Sequence, residues 1–182
     1  MLIKFKNHFP KLGENVFLAQ GCKIIGEVEI GDESSIWFNC VLRGDVNFIK
    51  IGSRTNIQDL STVHVWHREF DEDGSLKDAG FPTIIGDDVT IGHNCVIHAC
   101  TIKNRVLVGM NAVIMDGVII EEDSIVGAGS VVTKSKKFPP RSLILGNPAK
   151  LIRELRPEEI KFLKESALNY VEFKNEFLKD HE

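Results

Sequence analysis

An apolar residue returns at every sixth position along most of this chain. The series runs Ile24, Ile30, Ile36, Leu42, then Ile51, Ile57, Val63, then Ile85, Ile91, Ile97, and finally Ile102, Val108, Ile114, Ile120, Val126, Val132. Four positions after it stands a small or β-branched residue, such as Ser34, Cys40, Thr55, Ser61, Cys95, Ala112 or Ser130. A period of six matches neither the 3.6 of a helix nor the alternation of a lone strand. It fits a coil in which each hexad supplies one short strand and one corner, so that three hexads close a triangular turn. The apolar residue then points into the prism and stacks on its equivalents above and below. The expected fold is mainly β: a parallel β-helix of hexapeptide repeats with a C-terminal α-helix packed along it.

At 182 residues the chain reads as one structural domain. Residues 1–150 are expected to form the β-helix, and 151–182 the helix. Pro157 with Glu158 and Glu159 marks the helix start. Ile160, Leu163, Ala167, Tyr170 and Phe177 follow at helical spacing, giving the apolar face that lies on the prism. Two breaks interrupt the count of six. One adds three residues at Asp45–Phe48; the other is a charged, glycine-containing loop at 66–82, directly after His64. A residue is also missing between Ile97 and Ile102, which a tightened corner would absorb.

The net charge of −4 argues against nucleic acid or an anionic membrane as partner. No apolar run approaches the ~18 residues of a membrane span, and the N-terminal stretch lacks a signal-peptide core. The expected location is the cytoplasm. Cys22, Cys40 and Cys95 fall on the small inward position, with Cys100 one place earlier, which suits reduced core residues.

Three histidines turn spacing into geometry. Leu42, Val63 and Ile97 share one face if the two breaks are bulges, so Arg43, His64 and His98 form an outward ladder on it. Neighbouring rungs lie about 4.8 Å apart, close enough for two imidazoles to share one ion at about 2.0–2.1 Å each. His93 sits around a corner, on another face. A catalytic zinc usually takes three protein ligands. The set is complete if His93 of a neighbouring subunit meets His64 and His98, as a cyclic homotrimer would arrange three times over. His8, His67 and His181 lack such a pattern.

The stretch IWFNCVLRGDVNFIKIGSRTNIQDLSTVHV at 36–65, followed by IGDDVTIGHNCVIHACTI at 85–102, resembles the γ-class carbonic anhydrases. The resemblance covers nearly the whole chain and implies a left-handed superhelix. It implies that His64, His93 and His98 are the metal ligands, His93 coming from the adjacent subunit. Gln58 matches the residue that positions a metal-bound hydroxide or the substrate. Arg43, Asp45 and Asp59 match charged residues that tie subunits together near the site. The implied cofactor is Zn2+, with Fe2+ or Co2+ able to fill the same ligands.

The activity so implied is hydration of carbon dioxide to bicarbonate at subunit interfaces. Two positions depart from the best-known members. Val46 stands where they carry a glutamate, and Tyr170 is the candidate where they use an asparagine near the site. Proton transfer is thereby left to candidates such as His67, Glu69, Asp71, Glu72 and Asp73 of the 66–82 loop. An acyl-CoA-dependent acetyltransferase, a non-catalytic metal-binding trimeric subunit, and hydrolysis such as thioester cleavage remain alternatives on the same fold.

Overall fold

The computed structural model describes residues 1–180; His181 lies outside the described residues. The chain winds into a parallel β-solenoid with one helix, Pro157–Lys179. One face stacks Phe17–Leu18, Ser35–Ile36, Asn56–Ile57, Thr90–Ile91, Leu107–Val108, Ile125–Val126 and Ser142–Gly146. A second stacks Thr62–His64, Val96–His98, Val113–Ile114 and Val131–Val132. The third stacks Thr83–Ile85, Thr101–Ile102, Ile119–Ile120 and Lys137–Phe138. Two longer strands, Lys23–Ile30 and Val41–Ile51, turn the corner between the second and third faces and join them into one sheet. Their register shifts between Gly26 and Val28, which places the extra residues around Asp45–Phe48 in a bulge.

The six-residue apolar series forms the core as its spacing requires. Ile97, for example, is fully buried between Val63 and Ile114 on the adjoining rungs. All four cysteines are free and buried. Burial pushes the Cys40 thiol up to about 12, and Cys100 is raised for the same reason. Corners follow a rule of their own. Three places after the apolar residue, Asn39, Leu60, Asp88, Asn94, Asn111 and Asp123 all take positive φ. Asn and Asp tolerate this left-handed region better than other non-glycine residues. Glu33, Arg54, Leu60, Arg105 and Ser135 take positive φ at the same place without that tolerance, Leu60 with its side chain exposed.

The 66–82 insertion is not a plain loop. Glu69–Phe70 pairs antiparallel with Leu76–Asp78, because Asp71 and Asp73 close the turn through Ser75. The Asn47 amide, in the bulge, donates to the Trp66 and Ala79 carbonyls at 3.1 and 2.8 Å. The two interruptions of the repeat therefore brace each other.

After Ser142–Gly146 the chain reverses through Asn147–Pro148 into the antiparallel strand Ala149–Glu154, so strand structure runs past residue 150. Helix formation then starts at Pro157, where the Glu159 carboxylate accepts the Arg156 N–H at 2.8 Å. Arg153 and Arg156 hold that carboxyl well below the usual range. The helix runs back along the first face: Ser166 meets Thr90 at 3.2 Å, Lys174 meets Glu33 at 2.7 Å, and Phe177 packs on Trp37. Among the described residues no helix is long and apolar enough to cross a membrane.

Lys174 is fully buried, while its partner Glu33 is one-third exposed. The Lys174 contact holds the Glu33 carboxyl below its ordinary value. A carboxylate lowered by folding stabilises above its ordinary pKa of about 4.3 and loses that contribution as pH falls through the lowered value. Glu33→Ala should leave the buried ammonium without its carboxylate, keeping its hydrogen bond to Asn175 Oδ1 at 2.7 Å. The expected cost is about 2 kcal/mol, below the full penalty of a broken buried pair because Glu33 is partly solvated. Urea unfolding should show this at pH 7, with the difference shrinking in acid. Hydrogen exchange over residues 170–179 should rise.

Candidate metal centre

His64 and His98 end the strands Thr62–His64 and Val96–His98 and are register partners. Strand alternation sends Val63 and Ile97 inward and the two imidazoles outward. His64 Nδ1 lies 3.1 Å from His98 Nε2. The remaining nitrogen of each ring meets a carboxylate: His64 Nε2 meets Asp45 at 3.0 Å, and His98 Nδ1 meets Asp116. Arg43 pairs with the other oxygen of Asp45, and Lys134 with that of Asp116 at 2.8 Å.

Burial pushes His64 below its ordinary value, outweighing the opposite pull of Asp45, so its neutral form is favoured. For Asp45, burial pushes upward, but the His64 and Arg43 contacts prevail and hold it low. For Asp116, burial likewise pushes upward and the Lys134 and His98 contacts prevail.

His93 lies elsewhere, as the corner count expects. It follows Thr90–Ile91 and Gly92 on the first face, and its Nδ1 meets Asp59 at 2.7 Å. Gln58 is buried on the same side, donating its amide to Asn56 at 3.2 Å. Gln58, Thr90, His93, Met110 and Ser166 line a groove of about 460 Å³. Tyr170 packs edge-on against Trp37 with ring centroids 5.5 Å apart, and shares a cavity of about 290 Å³ with Phe38, Asp59, His93 and Phe173. Burial raises the Tyr170 hydroxyl, aided by the Asp59 charge.

One chain therefore carries two separate clusters: Arg43, Asp45, His64 and His98 on one face, and Gln58, Asp59, His93 and Tyr170 on another. Among the described residues no group of three His, Cys, Asp or Glu side chains in one chain could hold an ion.

The donor set at His64 and His98 fits a zinc-like cation. Two nitrogens bound tetrahedrally at about 2.05 Å stand about 3.3 Å apart, near the 3.1 Å found here. Carboxylates behind ligating imidazoles are the usual means of fixing tautomer and ring orientation. The hairpin candidates are occupied differently. His67 and Lys77 pair with Glu69 at 3.5 and 3.7 Å, while Asp71 and Asp73 hold the turn. Glu72 is exposed, and His8 pairs with Glu27. Asp116, Lys134 and Trp66 escaped the sequence reading. An eighteen-residue step from His98 lands on Asp116, and a second on Lys134, but the spacing alone does not show that these corner side chains turn toward the imidazole.

The hexapeptide model described as bacterial transferase hexapeptide (six repeats) matches residues 9–44 and 99–134. The chain is 46% identical over 162 residues to γ carbonic anhydrase 2, mitochondrial, of Arabidopsis thaliana, covering 89% of this chain and 56% of that protein. It is 50% identical over 160 residues to a probable carbonic anhydrase of Methanocaldococcus jannaschii, covering 88% and 93% of the two chains. The chain belongs to the γ-carbonic-anhydrase-like family. It spans little more than half the length of the plant members. Among solved structures, a Bacillus cereus protein provisionally described as an acetyltransferase superposes with a TM-score of 0.88 at 41% identity, covering 97% and 96% of the two chains. That breadth of names within one fold leaves the activity to be argued from the site.

Proposed function

We propose that this chain hydrates carbon dioxide to bicarbonate as a homotrimer, with zinc held by His64 and His98 of one subunit and His93 of the next. The observation that carries this reading is the pair of imidazole nitrogens 3.1 Å apart, each ring backed by its own carboxylate. A zinc ion at that place supplies a Lewis acid that ionises water near neutral pH.

The chain's own groups do the rest. Asp45 accepts the His64 Nε2–H and fixes the tautomer that leaves Nδ1 to bind. Asn56 takes one hydrogen of the Gln58 amide group, leaving the second for a substrate oxygen. Trp37, Phe38, Tyr170 and Phe173 give an aromatic wall suited to a small apolar molecule. Val46 places no carboxylate beside Asp45, so protons leave through buffer or through the exposed hairpin groups.

Stopped-flow hydration assays on zinc-loaded protein, and anaerobically on the ferrous form, test the reading. Activity should rise with imidazole buffer concentration and vanish in His64→Ala. Fully loaded protein inactive with both metals would sink the proposal. The Bacillus cereus likeness favours a second reading, acyl transfer, which acetyl-CoA binding by calorimetry would support.

A further inference from the structure

We infer that Asp116, clamped by Lys134, is the positioning residue that fixes His98 as a metal ligand. The inference rests on the metal reading above and extends it to residues outside the ligand set.

Asp116 stands at the corner after Val113–Ile114, the strand stacked on Val96–His98. Its carboxylate is committed at both oxygens: Oδ1 to His98 Nδ1, and Oδ2 to Lys134 Nζ at 2.8 Å. Lys134 comes from the next coil, just beyond Val131–Val132. The Asp116 side chain is 13% exposed, while that of Lys134 is 58% exposed. The Lys134 ammonium also lies 5.3 Å from the Trp66 ring centroid, within cation–π range. Trp66 stands edge-on to His98, with centroids 6.4 Å apart, and Asn47 and Phe81 hold its backbone.

These contacts leave the carboxylate one free task, accepting from His98 Nδ1. The lone pair of Nε2 is then presented toward His64. The arrangement repeats the one behind His64, where Arg43 clamps Asp45. Two cation–carboxylate–imidazole relays from separate parts of the chain converge on one point, which a fortuitous surface ion pair would not do.

Zinc and cobalt affinities of the intact protein, measured by competition with a chromophoric chelator, test this. Asp116→Asn should weaken both by about 10–100-fold and alter the visible absorption of the cobalt form. Asp116→Glu should recover part of the loss. Lys134→Met, at a side chain that is mostly exposed, should weaken binding less but in the same direction. The metal-free proteins should remain folded by circular dichroism and keep their subunit assembly. Wild-type affinity and cobalt spectrum in folded Asp116→Asn would overturn the inference while leaving the metal reading intact. If Asp116→Asn does not fold, unchanged affinity in Lys134→Met overturns the clamp. A wild-type protein that binds neither ion overturns the metal reading and this inference together.

Discussion

Mixing two inactive variants should restore metal binding. His93→Ala chains keep His64 and His98; His98→Ala chains keep His93. Each alone should lose zinc affinity by more than the ~100-fold typical of an outer-shell change, because a ligand itself is gone. Unfolded together in equal amounts and refolded, they should recover about one quarter of the wild-type sites, since in a randomly mixed cyclic trimer only one ordered neighbour pair in four joins an intact half-site to its complement. Zinc bound per chain, read after gel filtration, gives the count, and carbon dioxide hydration should recover in proportion. His93 stands on a different face from His64 and His98, paired with its own Asp59, so one chain cannot bring the three together. Normal zinc affinity in His93→Ala alone would show that the ion needs no second subunit.

Ile97→Ala should be the most damaging single truncation near the site. Ile97 is fully buried and stacks between Val63 and Ile114, directly beneath the His64–His98 rungs. Loss of a buried isoleucine to alanine costs about 2–5 kcal/mol. The upper half is expected here, because hydrogen-bonded rungs on both sides oppose collapse into the void. Urea denaturation of the metal-free protein measures it. A loss under about 1 kcal/mol would mean that the prism does not depend on this layer. The same variant should bind zinc more weakly, since the strand that carries His98 loses its inward anchor.

The period of six made the core legible residue by residue, because each inward position is dictated by the corner before it. Register followed from it: a count in threes places His64 beside His98, as the pairing Val63–Ile97 shows. The hairpin within 66–82 was not legible, because it is held by Asp71, Asp73 and the distant Asn47 rather than by any apolar pattern. Asp116 was missed for a related reason. A carboxylate on a corner looks like ordinary surface polarity until the neighbouring coil shows what it faces. Tyr170 reached the His93 side because the helix runs antiparallel to the solenoid axis, a direction that helical spacing alone does not fix.

That direction of the helix has a further consequence. In a bare solenoid each coil touches only its neighbours, so coils can stack in the order they are synthesised and peel off one at a time from either end. Here one rigid rod, made after the coils, ties Thr90, Glu33 and Phe17, which belong to different coils. The early coils stay without this brace until Pro157–Lys179 has left the ribosome. Once it is in place, opening any of them means lifting the rod from the others, which turns a stack of local equilibria into a single cooperative unit.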